Sequence, residues 1–282
     1  MPGFQSTRLV TEGALEPFFF LYTDDSIQGN PETCKQSSIM LNYEVKNNVG
    51  SNSENSIGCK IAKEIKHKLK NNEIKTYFYE GRRVNIKCCR GCSQCFSAGQ
   101  CTLDSEDDME RIKKDMKLSD IIIWISPVYA VNVSGMMKNY IDRLSSWMHT
   151  LELAGKKGIV VAISSNTGME FTVYYMKTIL QAMGCHVLKD YKINCRKGWQ
   201  FEEIIEDIRR KIEIGLKKKG QYTKDQEQTY SNVKQAFFGI PEDKRSSNAY
   251  EIEYWHRLEE KGIDSYDKYV KWKEKNNGIQ VL

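Results

Sequence analysis

The chain has 282 residues, 40% of them apolar and 28% charged, with a formal net charge of +5, enough apolar chain to bury a sizeable core as one α/β domain plus an appendage. Its lysines and arginines are scattered along helical stretches such as 60–70 and not gathered into a stripe with interleaved aromatics, so neither nucleic acid nor a membrane surface is an expected partner. Nine cysteines, five of them in 88–101, speak against a secreted disulfide framework and for a reducing, cytoplasmic setting; the opening MPGFQSTRLV predicts no signal peptide, and no stretch is long enough for a membrane span.

Residues 1–37 show no helical or alternating period apart from a short apolar run at 18–22, a candidate edge strand, and are read as an N-terminal arm. Residues 38–45 (SIMLNYEV) have strand character. A polar loop at 46–56, KNNVGSNSENS, then feeds a helix in which Ile61, Ile65 and Leu69 recur at helical spacing. A strand is predicted at 74–79, followed by a cysteine-rich loop. The acidic run Ser105-Glu106-Asp107-Asp108 suits a helix start, and Met109, Ile112 and Met116 mark its inner face. Residues 121–125 and 159–163 are continuous apolar runs, as strands covered on both faces require. A helix is expected over 134–148, another over 170–183 with Val173, Met176, Leu180 and Met183 on one side, and a last strand over 185–193.

Strands alternating with helices predict an α/β fold, a doubly wound five-stranded parallel sheet in the order 2-1-3-4-5. An amphipathic helix over 201–217 closes that domain, so that it spans 38–219. Residues 220–228 read as a polar linker opening a C-terminal extension, 220–282, with Phe237, Phe238, Tyr254 and Trp255 as apolar anchors. The extension is expected to pack on a neighbouring subunit or cover a ligand edge, or else to fold onto its own domain. In such a sheet ligands bind outside the carboxyl ends of the strands. That rule brings together the loops 46–58, 126–133 and 164–168.

The sharpest chemical signal is Cys89, Cys92, Cys95 and Cys101, spaced C-x2-C-x2-C-x5-C, with Cys88 a spare beside them. Four thiolates so close in sequence suit an iron-sulfur cluster, whose ligands come in a C-x2-C-x2-C run, better than zinc, which takes two separated pairs. Free reduced thiols are the plain alternative. The four histidines, His67, His149, His186 and His256, have no motif spacing to a carboxylate or cysteine and are read as solvated or packed.

The cysteine loop, the Asp107-Asp108-Met109 helix start, the strand ending in Ser126-Pro127-Val128-Tyr129, and Lys138 with Asp142-Arg143 on the next helix occur in that order. In this combination the chain, from about 50 to 184, resembles the iron-sulfur flavoprotein branch of the NADPH-dependent FMN reductase and flavodoxin-like superfamily. The resemblance implies FMN, with its phosphate held by Ser51, Ser53, Asn55, Ser56 and the backbone amides of Ile57 and Gly58. Relatives often carry Pro-Arg where this chain has Asn52-Ser53, and Thr where it has Gly58. The resemblance further implies that Pro127, Val128, Tyr129, Ala130, Ser164, Asn166, Thr167 and Gly168 cradle the isoalloxazine ring. Lys138 and Arg143 are read as structural ion pairs and Trp147 as packing.

With no G-x-G-x-x-G fingerprint, NAD(P)H is expected to dock transiently over the flavin as co-substrate. No catalytic side chain is assigned, because hydride transfer to a flavin needs none. The leading reading is an FMN-dependent NAD(P)H oxidoreductase serving a small-molecule or redox-carrier acceptor, with a 4Fe-4S cluster on the cysteines, acting as a homodimer or homotetramer. The alternatives are a flavin-dependent reductase of a dedicated organic or peptide substrate, and a non-enzymatic electron carrier whose cysteine loop holds zinc.

Overall fold

The computed structural model describes residues 38–43, 56–69, 74–80, 83–196, 200–218 and 220–276. The N-terminal arm 1–37 and most of the 46–56 loop lie outside the described residues.

The strands are β1 (Ser38–Tyr43), β2 (Lys75–Glu80), β3 (Ile121–Tyr129), β4 (Asn132–Val133), β5 (Lys157–Ser164) and β6 (His186–Asn194). Five of them pair in parallel in the order β2-β1-β3-β5-β6. Where five strands were expected, the described residues form six, because β3 runs on past the sheet and turns back as a hairpin, β4 pairing antiparallel with its end. The sheet is therefore mixed.

The central strands carry alternate residues into two cores. Ile122 and Trp124 of β3 and Val160 and Ala162 of β5 face α3 (Met109–Leu118), α4 (Gly135–Asp142) and α5 (Met169–Ala182), meeting Met116, Tyr140, Met176 and Leu180. Ile121, Ile123, Ile125, Ile159, Val161 and Ile163 face the other way, onto α1 (Ile57–Leu69) and α6 (Phe201–Lys217), where Ile61, Ile65, Leu69, Ile205, Ile208 and Ile212 are fully buried. Each such side chain contributes about 1.5–3 kcal/mol on leaving water. This two-sided burial is why 121–125 and 159–163 read as unbroken apolar runs and not as alternating ones.

The helix expected over 134–148 stops at Asp142 and gives way to a 3-10 turn, Ser145–Met148. The linker expected at 220–228 is interrupted by α7 (Lys224–Phe238), whose start is fixed by a capping box: the Thr223 side chain accepts from Gln226 N, and the Gln226 side chain accepts from Thr223 N.

Helix α7, α8 (Ala249–Glu260) and α9 (Tyr266–Asn276) surround a third core of Tyr230, Trp255, Leu258, Tyr266 and Tyr269, which Leu151 and Ala154 of the main domain enter. The extension thus folds onto its own chain. Tyr266 Oη accepts from Gly155 N at 2.8 Å and donates to Gly184 O at 2.7 Å, while Trp255 Nε1 donates to His149 O at 3.0 Å. Glu152 is gripped by Lys117 of α3 at 2.8 Å and Lys273 of α9 at 2.9 Å. Gly155 and Gly184 immediately precede β5 and β6, so the extension docks at the amino ends of those strands. Its described residues dock away from the opposite end of the sheet, where the predicted ring-binding loops emerge.

Candidate functional site

The strand registers bring the carboxyl ends of β1, β3 and β5 to one end of the sheet. Tyr43 lies beside Ile125, Ser126 beside Ala162, and Pro127 beside Ile163, so β1, β3 and β5 finish nearly flush. The chain steps from β1 outward to β2 and then back across to β3, which makes the β1–β3 boundary the point where strand order reverses. Of the predicted phosphate ligands, Ser51, Ser53 and Asn55 lie outside the described residues. Ser56 caps α1: its Oγ accepts from Cys59 N at 3.2 Å, and its carbonyl accepts from Lys60 N at 3.0 Å. The first turn of α1 carries no acidic residue of its own, and the buried Glu80 of β2 accepts from Cys59 Sγ there at 3.2 Å; the positive end of a helix dipole favours an anion.

The second loop is a two-residue hairpin. Val128 pairs with Val133 and Tyr129 with Asn132, leaving Ala130 and Val131 as the turn at φ of 47° and 65°. Twist-matched hairpins of this length need positive φ at both positions and normally use Asn-Gly. An alanine and a β-branched valine there store strain of order 1–3 kcal/mol each. The turn is held from below: Ser126 Oγ donates to Pro127 O at 2.9 Å and accepts from Ser134 N at 3.2 Å, and Ser134 in turn caps α4.

In the third loop Ser164 Oγ accepts from Asn166 N at 3.0 Å and donates to Thr167 O at 3.3 Å. Gly168 follows at φ 90°. A Cβ on it would lie 3.1 Å from both Val128 Cγ1 and Val131 Cα, so the second and third loops meet where only a glycine fits. The structure therefore brings Pro127, Val128, Tyr129, Ala130, Ser164, Asn166, Thr167 and Gly168 to one rim, with Ser165, Asn166 and Thr167 open to solvent. Phe171 and Tyr174, 66% and 67% exposed, flank this rim on the first turns of α5. Sequence reading passed over them, although they fall off the buried Val173-Met176-Leu180 stripe.

These features suit a flat, phosphorylated ligand: a capped helix start, small hydroxyls, and two loops packed together at Gly168.

The cysteine loop sits elsewhere. Its root is tied to the end of α4: Asn139 Nδ2 donates to Ile86 O at 2.8 Å and Arg143 donates to Lys87 O at 2.9 Å. Since α4 starts at the hairpin, the root lies roughly 10 Å along that helix from the crevice. Arg143 is wholly buried and pairs with Asp107 at 2.5 Å and Asp104 at 2.7 Å. Burial opposes its charge, but the two carboxylates outweigh burial and hold it firmly protonated. Lys138 pairs with Asp142 at 2.5 Å on the surface, so both Lys138 and Arg143 serve ion pairs. Trp147 is buried in the first core.

Cys88, Cys89 and Cys92 are exposed, whereas Cys95, on the short helix α2 (Gln94–Ser97), and Cys101 are half-buried. Burial raises the Cys95 thiol above its usual range, and the neighbouring Cys101 and Cys89 push it the same way. Four thiols are the right donor chemistry for a cluster or zinc. As placed, however, no three His, Cys, Asp or Glu side chains among the described residues are arranged to hold one metal ion. The expected convergence of Cys89, Cys92, Cys95 and Cys101 on a single metal is therefore not met in this arrangement. The first two follow an extended, exposed segment, and Gly91 and Ser93, both at positive φ, turn the chain before Cys95.

His149 is another residue that spacing did not reveal. Phe96 stacks on its ring at 5.1 Å between centroids, and its Nδ1 lies 2.8 Å from Oε1 of the fully buried Glu251.

A parallel sheet wound on both faces, with its loops gathered at the strand-order reversal, defines a flavodoxin-like α/β protein. Residues 49–200 match the model of the NADPH-dependent FMN reductase family, and the chain belongs to that family. It is 34% identical over 113 residues to an iron-sulfur flavoprotein of Archaeoglobus fulgidus, covering 40% of this chain and 50% of that protein. It is 27% identical over 146 residues to an iron-sulfur flavoprotein of Clostridioides difficile, covering 52% and 63%. The matched stretches thus span between half and two-thirds of these curated relatives. Among solved structures, an NADH:FMN oxidoreductase aligns over 64% of this chain and 89% of its own at a TM-score of 0.46 and 18% identity, and a Streptococcus pneumoniae flavodoxin over 63% and 99% at 0.43 and 14%. Among the described residues no helix is long and apolar enough to cross a membrane.

Proposed function

We propose that the protein is an FMN-dependent NAD(P)H oxidoreductase that passes electrons to a small-molecule or redox-carrier acceptor. The observation that carries this reading is the contact of the strained Ala130-Val131 turn with Gly168 at the flush strand ends, within the residues that match the FMN reductase family. When bound, FMN supplies the redox chemistry, taking a hydride from the nicotinamide and releasing electrons to the acceptor.

The chain's own residues bind and orient. Ser56, with the Ile57 and Gly58 amides at the start of α1, takes the phosphate end. The 127–130 backbone and Ser164, Asn166, Thr167 and Gly168 line the ring, with Tyr129 as an aromatic wall. Phe171 and Tyr174 offer the nicotinamide an exposed surface beside the ring.

Anaerobic purification followed by quantification of FMN, iron, zinc and sulfide, with NADH and NADPH turnover against a panel of acceptors, tests the proposal. About one FMN per chain and nicotinamide-dependent turnover are expected. A colourless chain that refuses added FMN refutes the proposal. Iron with matching sulfide assigns a 4Fe-4S cluster to Cys89, Cys92, Cys95 and Cys101, and zinc assigns a structural site. Selective turnover of one organic or peptide acceptor would mark a dedicated reductase, and the oligomer size of the same preparation checks for a homodimer or homotetramer.

A further inference from the structure

The cysteine loop has two unlike sides. Its outer edge, Cys88, Cys89, Arg90 and Cys92, faces solvent. Its inner edge meets the C-terminal extension, which lies wholly beyond the family-matched residues 49–200. Gly99, at φ 76°, is covered by the Tyr250 ring, whose atoms would stand 2.5–2.6 Å from a Cβ placed there. Tyr250 can lie so close only because position 99 has no side chain.

The next residue, Glu251, is fully buried; its Oε1 meets His149 Nδ1 at 2.8 Å and its Oε2 accepts from Asn248 Nδ2 at 2.7 Å. His149 stacks on Phe96 of α2 at 5.1 Å and tilts against Phe237 of α7 at 5.4 Å. A buried carboxylate is costly to keep, and here its position is defined by two side chains, one from each side of the contact.

We infer that the extension supplies the inner wall of the cysteine site: Tyr250 on Gly99 and Glu251 on His149 clamp helix α2 and shield Cys95 and Cys101, leaving the Cys88–Cys92 edge as the loop's open face. Tyr250 and Glu251 are positioning residues, acting through Gly99, His149 and Phe96. Half-buried thiols walled on one side are reached by reagents more slowly than exposed ones, so the wall confines exchange of electrons, metal or oxidant to the outer edge. The inference rests on the proposed redox role only for its purpose, not for its geometry.

The test is alkylation of the full-length, as-purified protein by iodoacetamide under anaerobic reducing conditions, with each cysteine followed separately by peptide mass spectrometry. Cys88, outside the proposed ligand set, is the internal reference. In the unaltered protein Cys95 and Cys101 are expected to label at least tenfold more slowly than Cys88. Tyr250→Ala and Glu251→Gln should raise the Cys95:Cys88 and Cys101:Cys88 ratios at least tenfold. Tyr250→Phe keeps the ring and should restore the original ratios.

Equal labelling of Cys95 and Cys88 in the unaltered protein, or unchanged ratios in both weakened variants, overturns the inference. If Tyr250→Ala unfolds the extension by circular dichroism, Glu251→Gln, which keeps the packing volume, decides the matter alone. FMN content is read on the same samples: absence of flavin from all of them, with the labelling ratios as expected, defeats the oxidoreductase reading and leaves the wall standing.

Discussion

Replacing Arg143 by methionine removes the cation that pairs with Asp107. Both side chains are fully buried, and Asp104, 20% exposed, is the second partner. Deleting one member of such a pair leaves a desolvated charge and costs about 3–5 kcal/mol. Asp107 would keep backbone bonds from Lys87 N and Met109 N, both 2.9 Å, which places the expected loss toward the lower end of that range. At about 2–4 °C per kcal/mol for a domain of this size, the midpoint should fall by roughly 6–12 °C. Urea unfolding followed by circular dichroism gives the free energy, and a thermal scan gives the shift. The double variant Arg143→Met/Asp107→Asn removes the stranded charge as well and should recover at least about 1 kcal/mol of the loss. A loss below about 1 kcal/mol for the single variant, or no coupling in the double one, would refute the claim that this ion pair anchors the cysteine loop to α4.

Three further outcomes follow from the same geometry. Gly168→Ala puts a methyl 3.1 Å from the Val131 backbone at φ 90°, so it should weaken FMN binding at least tenfold in a fluorescence titration and destabilise by about 1–2 kcal/mol; unchanged affinity would separate the two loops from the flavin. Changing Ala130-Val131 to Asn-Gly relieves two positive-φ residues and should stabilise the chain by about 1–3 kcal/mol in denaturant, whereas a loss of stability would show that the turn is not strained.

Burial alone would raise Glu152, but Lys273 and Lys117 overrule it and pull its carboxyl down to about 2 from an ordinary 4.5. Its folded pKa is depressed, so its contribution is complete above pH 4.5 and is lost as pH falls through about 2. Melting temperature measured across that window should drop in the unaltered protein and flatten in Glu152→Gln, and parallel curves would defeat the assignment.

Much of this was legible in the order of residues, because local periodicity records which faces are buried. The unbroken runs at 121–125 and 159–163 meant strands covered twice, and Ile61-Ile65-Leu69 and Ile205-Ile208-Ile212 meant helices with one buried stripe. The rim from Pro127 to Gly168 was likewise readable, since its residues follow strand ends that a parallel sheet must align. The β3–β4 hairpin was not readable: Ala130-Val131 lacks the Asn-Gly signal, and the turn is held by tertiary contacts, the packing of Gly168 against it and the Ser126 hydroxyl below it.

Nor could spacing have joined Tyr250 to Gly99 or Glu251 to His149, pairs separated by more than a hundred residues. Their contact depends on how a third hydrophobic core seats α7 to α9 against Leu151 and Ala154. Sequence by itself determined the five parallel strands and the helices that cover them, because those depend on short-range pattern and on chain-winding rules. Which side of the cysteine loop is walled off was decided only by tertiary structure, because burial between distant segments is settled by the shapes of whole surfaces and leaves no period in either segment.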